Sequence, residues 1–349
     1  MIVDEAFDRA RALAAKLSDA QDGIVRDVAD RLRQLAGGDI PLAAHQLRGG
    51  MVRSEAWAKS PIQPMIVAST GDQLGSRLLF RAYGPGTGMR PVHAGLAGND
   101  SLILLDEAHC AQPFLETLQA VKRYRGWAEV PLPSPFQVTV MSATPPQVDD
   151  VFRDDSDEGH NPAHPLGQRQ LAAKPAVLVV ADKAKGMKPE VVREELAKVL
   201  VEQAQKLVAQ WNPAASKASQ PDLFAADNLA MPAVVVFCNR VDTARRAHDA
   251  LANSGAVVTL LTGRMRPIDK DDIIAGALAE FSAEHASSRQ LDQPRFIVTT
   301  QTLEVGANLD FDLLVTECAS LDALRQRFGR LNRMGRDIQA HAAIVARAD

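Results

Sequence analysis

The chain has 349 residues, 46% hydrophobic but only 5% aromatic, and a formal net charge of -4. That length favours two domains over one, and the hydrophobic fraction supports aliphatic cores and argues against disorder. The charge balance excludes a global electrostatic case for nucleic-acid binding, so any such surface must be local.

Residues 4–36 are helical in pattern: Ala6, Ala10, Leu13, Ala14 and Leu17 keep helical spacing, as do Ile24, Val28, Leu32 and Leu35. Gly37-Gly38 stops the second helix. A strand is expected around Leu42–Leu47, ending at Arg48-Gly49-Gly50, and another at Pro64–Ser69. Thr70 and Asp72 open a helix through Phe80, with Thr70 as its cap. Tyr83 to Pro91 reads as loop. Ser101–Cys110 (SLILLDEAHC) is a continuous apolar run ending in two carboxylates, which suits a strand buried on both faces. A helix over Pro113–Arg125 and a strand over Phe136–Met141 follow. Residues 149–168, acidic and rich in Gly, Pro and His, suggest a loop or boundary.

After a strand at Ala176–Val180 and a helix over Pro189–Trp211, residues 212–230 look like a flexible insertion. Strands are then expected at Ala233–Phe237, Val257–Leu260, Arg295–Thr299, Asp312–Thr316 and Ala342–Ala346. Helices are expected at Thr243–Asn253, Asp269–Glu280 and Leu321–Asn332. Two blocks of strands alternating with helices predict two parallel-sheet α/β domains, residues 1–165 and 166–349. The cysteines Cys110, Cys238 and Cys318 lack metal spacing and each follows an apolar run, so buried reduced thiols in a cytoplasmic protein are expected. No apolar run reaches transmembrane length and the N-terminus lacks a signal-peptide pattern, so no membrane partner is expected.

Asp106 and Glu107 fall at the C-terminal end of their strand, where open α/β sheets place their chemistry. Asp-Glu-Ala-His after such a strand is the second nucleotide motif of many helicases. The first acid holds Mg²⁺, directly or through water, and the second orients or deprotonates the attacking water. By itself the tetrapeptide also reads as two solvated acids at a loop start. Ser142-Ala143-Thr144 ends another strand, so its hydroxyls can couple the same edge to a second surface; alone, it reads as a Ser/Thr turn. Thr299–Gly306, small and hydroxyl-rich at a strand end, lets backbone approach a phosphate or a nucleic-acid backbone, or is an ordinary strand-to-helix turn. In Gln326–Arg333 (QRFGRLNR), Arg330 and Arg333 are three apart and on a helix share one face, as arginine fingers reaching a γ-phosphate would. Arg325, Arg327 and Arg336 make the segment densely basic. Arg325 and Arg336 read as a solvated or nucleic-acid-facing helix surface.

In this order the motifs resemble the superfamily 2 helicases, whose two RecA-like domains form a P-loop NTPase core that sandwiches ATP. More closely, QTLEVGANLDFDLLVTECASLDALRQRFGRLNRMGR resembles the helicase core of the CRISPR-associated helicase-nuclease of type I interference systems. Thr70-Gly71-Asp72-Gln73 is similar to that family's motif ahead of the acidic strand. RPVHAGLAGNDSLILLDEAH and LLTGRMRP are similar to its I-U (I-G) variant.

The resemblance covers nearly the whole chain. It implies an ATP- and Mg²⁺-dependent enzyme of antiviral defence, recruited to a CRISPR RNA-guided surveillance complex (Cascade-like), that translocates on single-stranded DNA. It assigns Asp106 to Mg²⁺, Glu107 to water, and Arg330, Arg333 and Gln326 to the γ-phosphate. His109, Ser142 and Thr144 couple the site to the DNA track. Gly306, Asn308 and Asp310 are its nucleotide-side positions, and Thr70, Arg48, Asn239, Arg240 and Thr300 its nucleic-acid contacts.

Three departures bear on this. No G-x-x-x-x-G-K-[ST] occurs, and the Gly84–Arg90 loop, Gly-rich but without lysine, does not replace it; the first domain is expected to lack its N-terminal phosphate-loop segment, which should lie upstream of residue 1. The family's His-Asp nuclease is absent, and His248-Asp249 is a lone dipeptide on a helix face. Asn308 stands where the family usually carries Asp, which would weaken a ribose contact, with Asp310 two residues on. The alternatives are another superfamily 2 nucleic-acid helicase, or an ATPase-dead truncated remnant that binds only nucleic acid or a partner.

Overall fold

The computed structural model describes residues 2–49, 54–142, 152, 156–184, 188–212, 231–304, 306 and 308–348. The chain divides into two compact units, Met1–Val151 and Phe152–Asp349.

The first unit opens with α1 (Ile2–Asp19) and α2 (Gly23–Ala36). Gly37, at φ 64, ends α2 in the left-handed conformation that only glycine takes without strain, and returns its N–H to the Arg33 carbonyl. β1 (Ala43–Leu47) and β2 (Met65–Ser69) pair in parallel, Ala43 opposite Met65. Next come α3 (Gly71–Leu78), α4 (Arg90–Gly98), β3 (Ser101–Leu105), α5 (Gln112–Arg125) and β4 (Phe136–Val140). β3 pairs in parallel with β4, Ser101 opposite Phe136.

Two expectations change here. The stretch Tyr83–Pro91, expected to be loop throughout, enters α4 at Arg90. Pro91 in fact lies in the helix's first turn, where a missing N–H costs nothing. β3 is not buried on both faces. Ile103 and Leu105 pack with Leu115, Leu118 and Phe136, whereas Leu102 and Leu104 are 65% and 60% exposed, because helices cover one face of the β3–β4 pair among the described residues.

The second unit contains α6 (Pro165–Leu171), β5 (Ala176–Ala181), α7 (Pro189–Ala209), β6 (Ala233–Phe237), α8 (Val241–Asn253), β7 (Val257–Leu261), α9 (Pro267–Ala275), β8 (Arg295–Thr299), β9 (Leu313–Glu317), α10 (Leu321–Phe328) and β10 (His341–Arg347). Among the described residues its six strands form one parallel sheet in the order β5-β10-β9-β6-β8-β7. This is the α/β, parallel-sheet class expected from the sequence. β6 is buried along its whole length, as a continuous β-branched run in a parallel sheet should be. Val234, Val236, Val298, Val315 and Val345 pack against Leu196, Leu200 and Ala204 of α7 and Ala247 and Leu251 of α8.

Two further expectations are corrected. Only Cys238 is buried; Cys110 and Cys318 are exposed because each lies just past the covered part of its strand. α10 stops at Phe328 rather than Asn332. Leu331 is drawn into a parallel bridge with Phe311, and Asn332, at φ 39, donates its N–H to the Phe311 carbonyl, so the chain leaves the helix to lie beside the start of β9. No helix among the described residues is long and apolar enough to cross a membrane.

Candidate functional site

β3 delivers two carboxylates at its C-terminal end. Asp106 is exposed and its Oδ1 accepts the Glu107 N–H at 2.9 Å. Glu107 has φ 49, a left-handed conformation that costs a non-glycine residue on the order of 1 kcal/mol and is held only where surrounding bonds insist on it. Here Met141 N–H donates to the Leu105 carbonyl and Ala108 N–H to the Met141 carbonyl, tying the loop to the end of β4. The short turn Ala108–Cys110 then carries His109 back over the site. His109 Nδ1 lies 3.1 Å from Ser142 Oγ and 3.5 Å from Glu107 Oε2. The structure thus brings together Glu107, His109 and Ser142, from the ends of two neighbouring strands. Thr144 lies outside the described residues.

Asp106 fits a Mg²⁺ ligand. It offers one exposed carboxylate, and Mg²⁺ is usually held by one or two carboxylates, with water and phosphate completing its shell. Among the described residues no group of three or more His, Cys, Asp or Glu could hold a metal by itself.

In the second unit the turn after β8 is clamped from below. Arg327, on α10 and fully buried, donates to Glu304 Oε1 through Nε at 2.8 Å and Nη2 at 2.6 Å. It also donates to Thr316 Oγ1, to the Glu317 carbonyl and to Asn239 Oδ1, and it lies over the Phe237 ring. Arg330, also buried, donates to the carbonyls of Leu303 at 3.2 Å and Glu304 at 2.8 Å. Arg330 and Arg333 therefore do not share a helix face, since both follow the end of α10. Arg333 and Gln326 are half-buried, and Gly306 takes φ 76.

The expected nucleic-acid residues are dispersed. Thr70 caps α3, its side chain accepting the Gln73 N–H at 3.4 Å. Arg48 pairs with Asp4 at 2.9 Å. Thr300 is buried, with Oγ1 3.3 Å from Thr302 Oγ1. Asn239 donates through Nδ2 to the Cys318 carbonyl at 2.9 Å and through its N–H to Glu317. Of the five, only Arg240, at the head of α8, is exposed. Burial pushes the Glu317 carboxyl up from its usual range, against the Asn239 N–H and the charges of Arg327 and Arg240.

Asp310 is not brought to this edge. It lies just before β9, at the opposite end of the sheet, and is fully buried. Its carboxylate and that of Asp312 share Arg289 and Arg336: Asp312 Oδ1 is 2.9 Å from Arg289 and 2.6 Å from Arg336, and Asp310 pairs with Arg336 as well. Asp310 also accepts the Met334 N–H, and Asp312 accepts the Ala233 N–H at the start of β6. A nucleotide-side role for Asp310 and a solvent-facing role for Arg336 are both replaced by this buried network. Asn308, half-buried, accepts the Ala283 N–H with its carbonyl. The internal task of Arg327 is likewise absent from the sequence reading. Its one signal in the sequence is the apolar Leu324 three positions earlier on the same helix face.

Residues 231–336 match the family model described as CRISPR-associated nuclease/helicase Cas3, C-terminal. A curated relative, a CRISPR-associated nuclease/helicase Cas3 of Myxococcus xanthus, is 36% identical over 95 residues, 27% of this chain and 12% of the relative. The crystal structure of T. fusca Cas3 matches with a TM-score of 0.56 at 18% identity, and its AMPPNP form with 0.55 at 17%. Each covers 88% of this chain and 37% of the Cas3 chain. A chain of a CRISPR RNA-guided surveillance complex, pre-nicking, matches with a TM-score of 0.53 at 17% identity over 93% of this chain and 40% of its own. At such identities the structural likeness speaks for the fold. This chain spans well under half the length of these relatives. Residues 231–336 are thus similar to the Cas3 C-terminal domain, and the fold is like that of the Cas3 structures.

Proposed function

We propose that the chain is the helicase core of a type I CRISPR helicase-nuclease, an ATP-dependent enzyme that translocates on single-stranded DNA in antiviral defence. One observation carries this reading: Glu107, His109 and Ser142 meet at the ends of β3 and β4, in a chain whose residues 231–336 match the Cas3 C-terminal domain. Asp106 is the carboxylate that would hold Mg²⁺, which when bound neutralises charge on the nucleotide's phosphates. Glu107 orients or deprotonates the attacking water. His109, between Glu107 and Ser142, reports the state of that water's base to the end of β4. Arg330 and Arg333 are the groups proposed to stabilise charge on the γ-phosphoryl group, with Gln326 near it. Arg240 is the DNA contact best supported by exposure. A Cascade-like surveillance complex is the proposed partner, in keeping with the likeness to a chain of the pre-nicking complex.

The test is Glu107→Gln in the full-length protein. Hydrolysis should vanish while ATP binding persists; retained turnover rejects the role. Stimulation by DNA rather than RNA separates this reading from that of another superfamily 2 helicase. A second reading is nucleic-acid or partner binding without hydrolysis. Failure of the chain to bind a fluorescent ATP analogue would select it.

A further inference from the structure

Within the first unit, the connection from β1 to β2 holds one short turn, Ala56–Ala58. Among the described residues of that connection, Trp57 alone is buried. Its indole reaches the two helices that follow. Arg77 of α3 lies over the ring, 5.4 Å from its centre. His93 of α4 meets it edge on, with ring centres 5.0 Å apart and planes at 62°. The described part of the connection is thus fastened to α3 and α4 through one aromatic side chain.

His93 is fully buried, yet neither of its ring nitrogens has a hydrogen-bond partner among the described residues. The same holds for Trp57 Nε1 and Arg77 Nε. Buried polar groups are nearly always paired, so a cluster of four such atoms calls for a reason beyond packing. The charges around His93 are few. Glu55, just ahead of the turn, places Oε2 3.8 Å from His93 Nε2, beyond hydrogen-bonding reach, and its side chain is 47% exposed. Arg77 is buried and donates through Nη1 to the Gln73 carbonyl at 2.6 Å and to Gln73 Oε1 at 3.0 Å. Arg90 precedes His93 by one turn on α4.

A neutral imidazole can stay in this site. An imidazolium would give up its water for no acceptor and would share the indole with the Arg77 cation. Burial accordingly pushes the His93 pKa down; Glu55 opposes that shift and Arg77 adds to it.

We propose that Glu55, Trp57, Arg77 and His93 form an acid-released latch on the β1–β2 connection. The latch is closed while His93 is neutral. When His93 takes a proton, the turn Ala56–Ala58 lifts off, and the imidazolium gains water and the Glu55 carboxylate together. The sign follows from linkage. The open form takes the proton more readily than the closed one, so closure weakens as pH falls through the pKa of an exposed histidine, about 6.5. The latch uses neither the Asp106–Glu107 edge nor any residue assigned to nucleic acid, so it stands or falls apart from the proposed function.

The experiment is hydrogen exchange of the Trp57 indole N–H, followed by NMR in the chain and identified by its loss in Trp57→Phe. Divided by the rate of free indole at the same pH, it reads the open fraction. That fraction should rise about tenfold or more from about pH 7 to about pH 5, while the ladder amides of β3 and β4 keep their protection. The rise should vanish in His93→Gln, and equally in His93→Phe, which keeps an aromatic ring against Trp57. Either variant decides the point if the other fails to fold. Where neither folds, the ring resonance of His93 in the parent decides it: a titration midpoint below about 6.5 supports the latch, and one at or above that value overturns it. An open fraction that is the same at both pH values, a rise that survives either His93 variant, or a rise shared by the β3–β4 ladder also overturns it.

Discussion

Arg327 and Glu304 form a buried pair in which one guanidinium grips one carboxylate oxygen through two nitrogens, at 2.8 and 2.6 Å. The pair joins the turn after β8 to α10, so the two segments of the second unit that most resemble helicase motifs are fixed to each other. Removing one partner strands the other charge in the interior. Arg327→Ala should therefore destabilise the second unit by about 3–5 kcal/mol, and Arg327→Lys should recover only part, because an ammonium cannot reproduce the fork. Denaturant unfolding of the variants checks both; a loss within about 0.5 kcal/mol would contradict the role.

The Asp310–Asp312–Arg289–Arg336 cluster makes a prediction that separates scaffold from site. Asp310→Asn should lower the melting temperature of the second unit while leaving nucleotide affinity of the folded protein unchanged. Tm and nucleotide binding measured on one preparation decide it. Weaker nucleotide binding at unchanged Tm would return Asp310 to the nucleotide.

Glu107 occupies a backbone conformation that glycine prefers. Glu107→Gly should leave the first unit as stable as before or up to about 1 kcal/mol more so, whereas Glu107→Val should cost about 1–2 kcal/mol, since a β-branched residue resists positive φ. Thermal melts of the pair report the difference. Equal effects would mean that the left-handed turn relaxes.

Glu317 supplies a pH dependence. Burial raises its folded-state pKa above the usual value, so the folded chain binds this proton more readily than the unfolded one. Its contribution to stability is fully present below the unfolded pKa and is lost as pH rises through the folded pKa. Glu317→Gln should remove that slope, so its stability relative to the parent should improve on going from acidic to neutral pH. Unfolding curves across that range test this, and parallel pH profiles would contradict it.

The strands that carry the site are legible from the sequence. β6 and β8 run over Ala233–Phe237 and Arg295–Thr299 as expected, because short apolar runs centred on β-branched residues favour a buried strand. The Thr70 cap is legible for the same reason, since a short hydroxyl side chain before a helical pattern has one obvious use. The arginines are not. Arg325, Arg327, Arg330, Arg333 and Arg336 are alike in composition, yet Arg325 faces solvent, Arg327 is buried against a carboxylate 23 residues upstream, and Arg336 pairs with Asp310 and Asp312. Periodicity reports which side of a helix faces inward and nothing about which distant loop supplies the counter-charge. α10 ends early because Leu331 finds Phe311, again a long-range partner.

The order of strands in the second unit has a consequence for synthesis. Among the described residues β5, the first strand of that sheet to leave the ribosome, pairs only with β10, the last one. At about 5–20 residues per second, translation keeps the Ala176–Ala181 segment (AVLVVA) waiting on the order of ten seconds for its neighbour. During that interval a nascent chain displays an unpaired, wholly apolar ribbon, so a chaperone holding it, or slow emergence of the intervening segment, would govern how much of the polypeptide escapes aggregation.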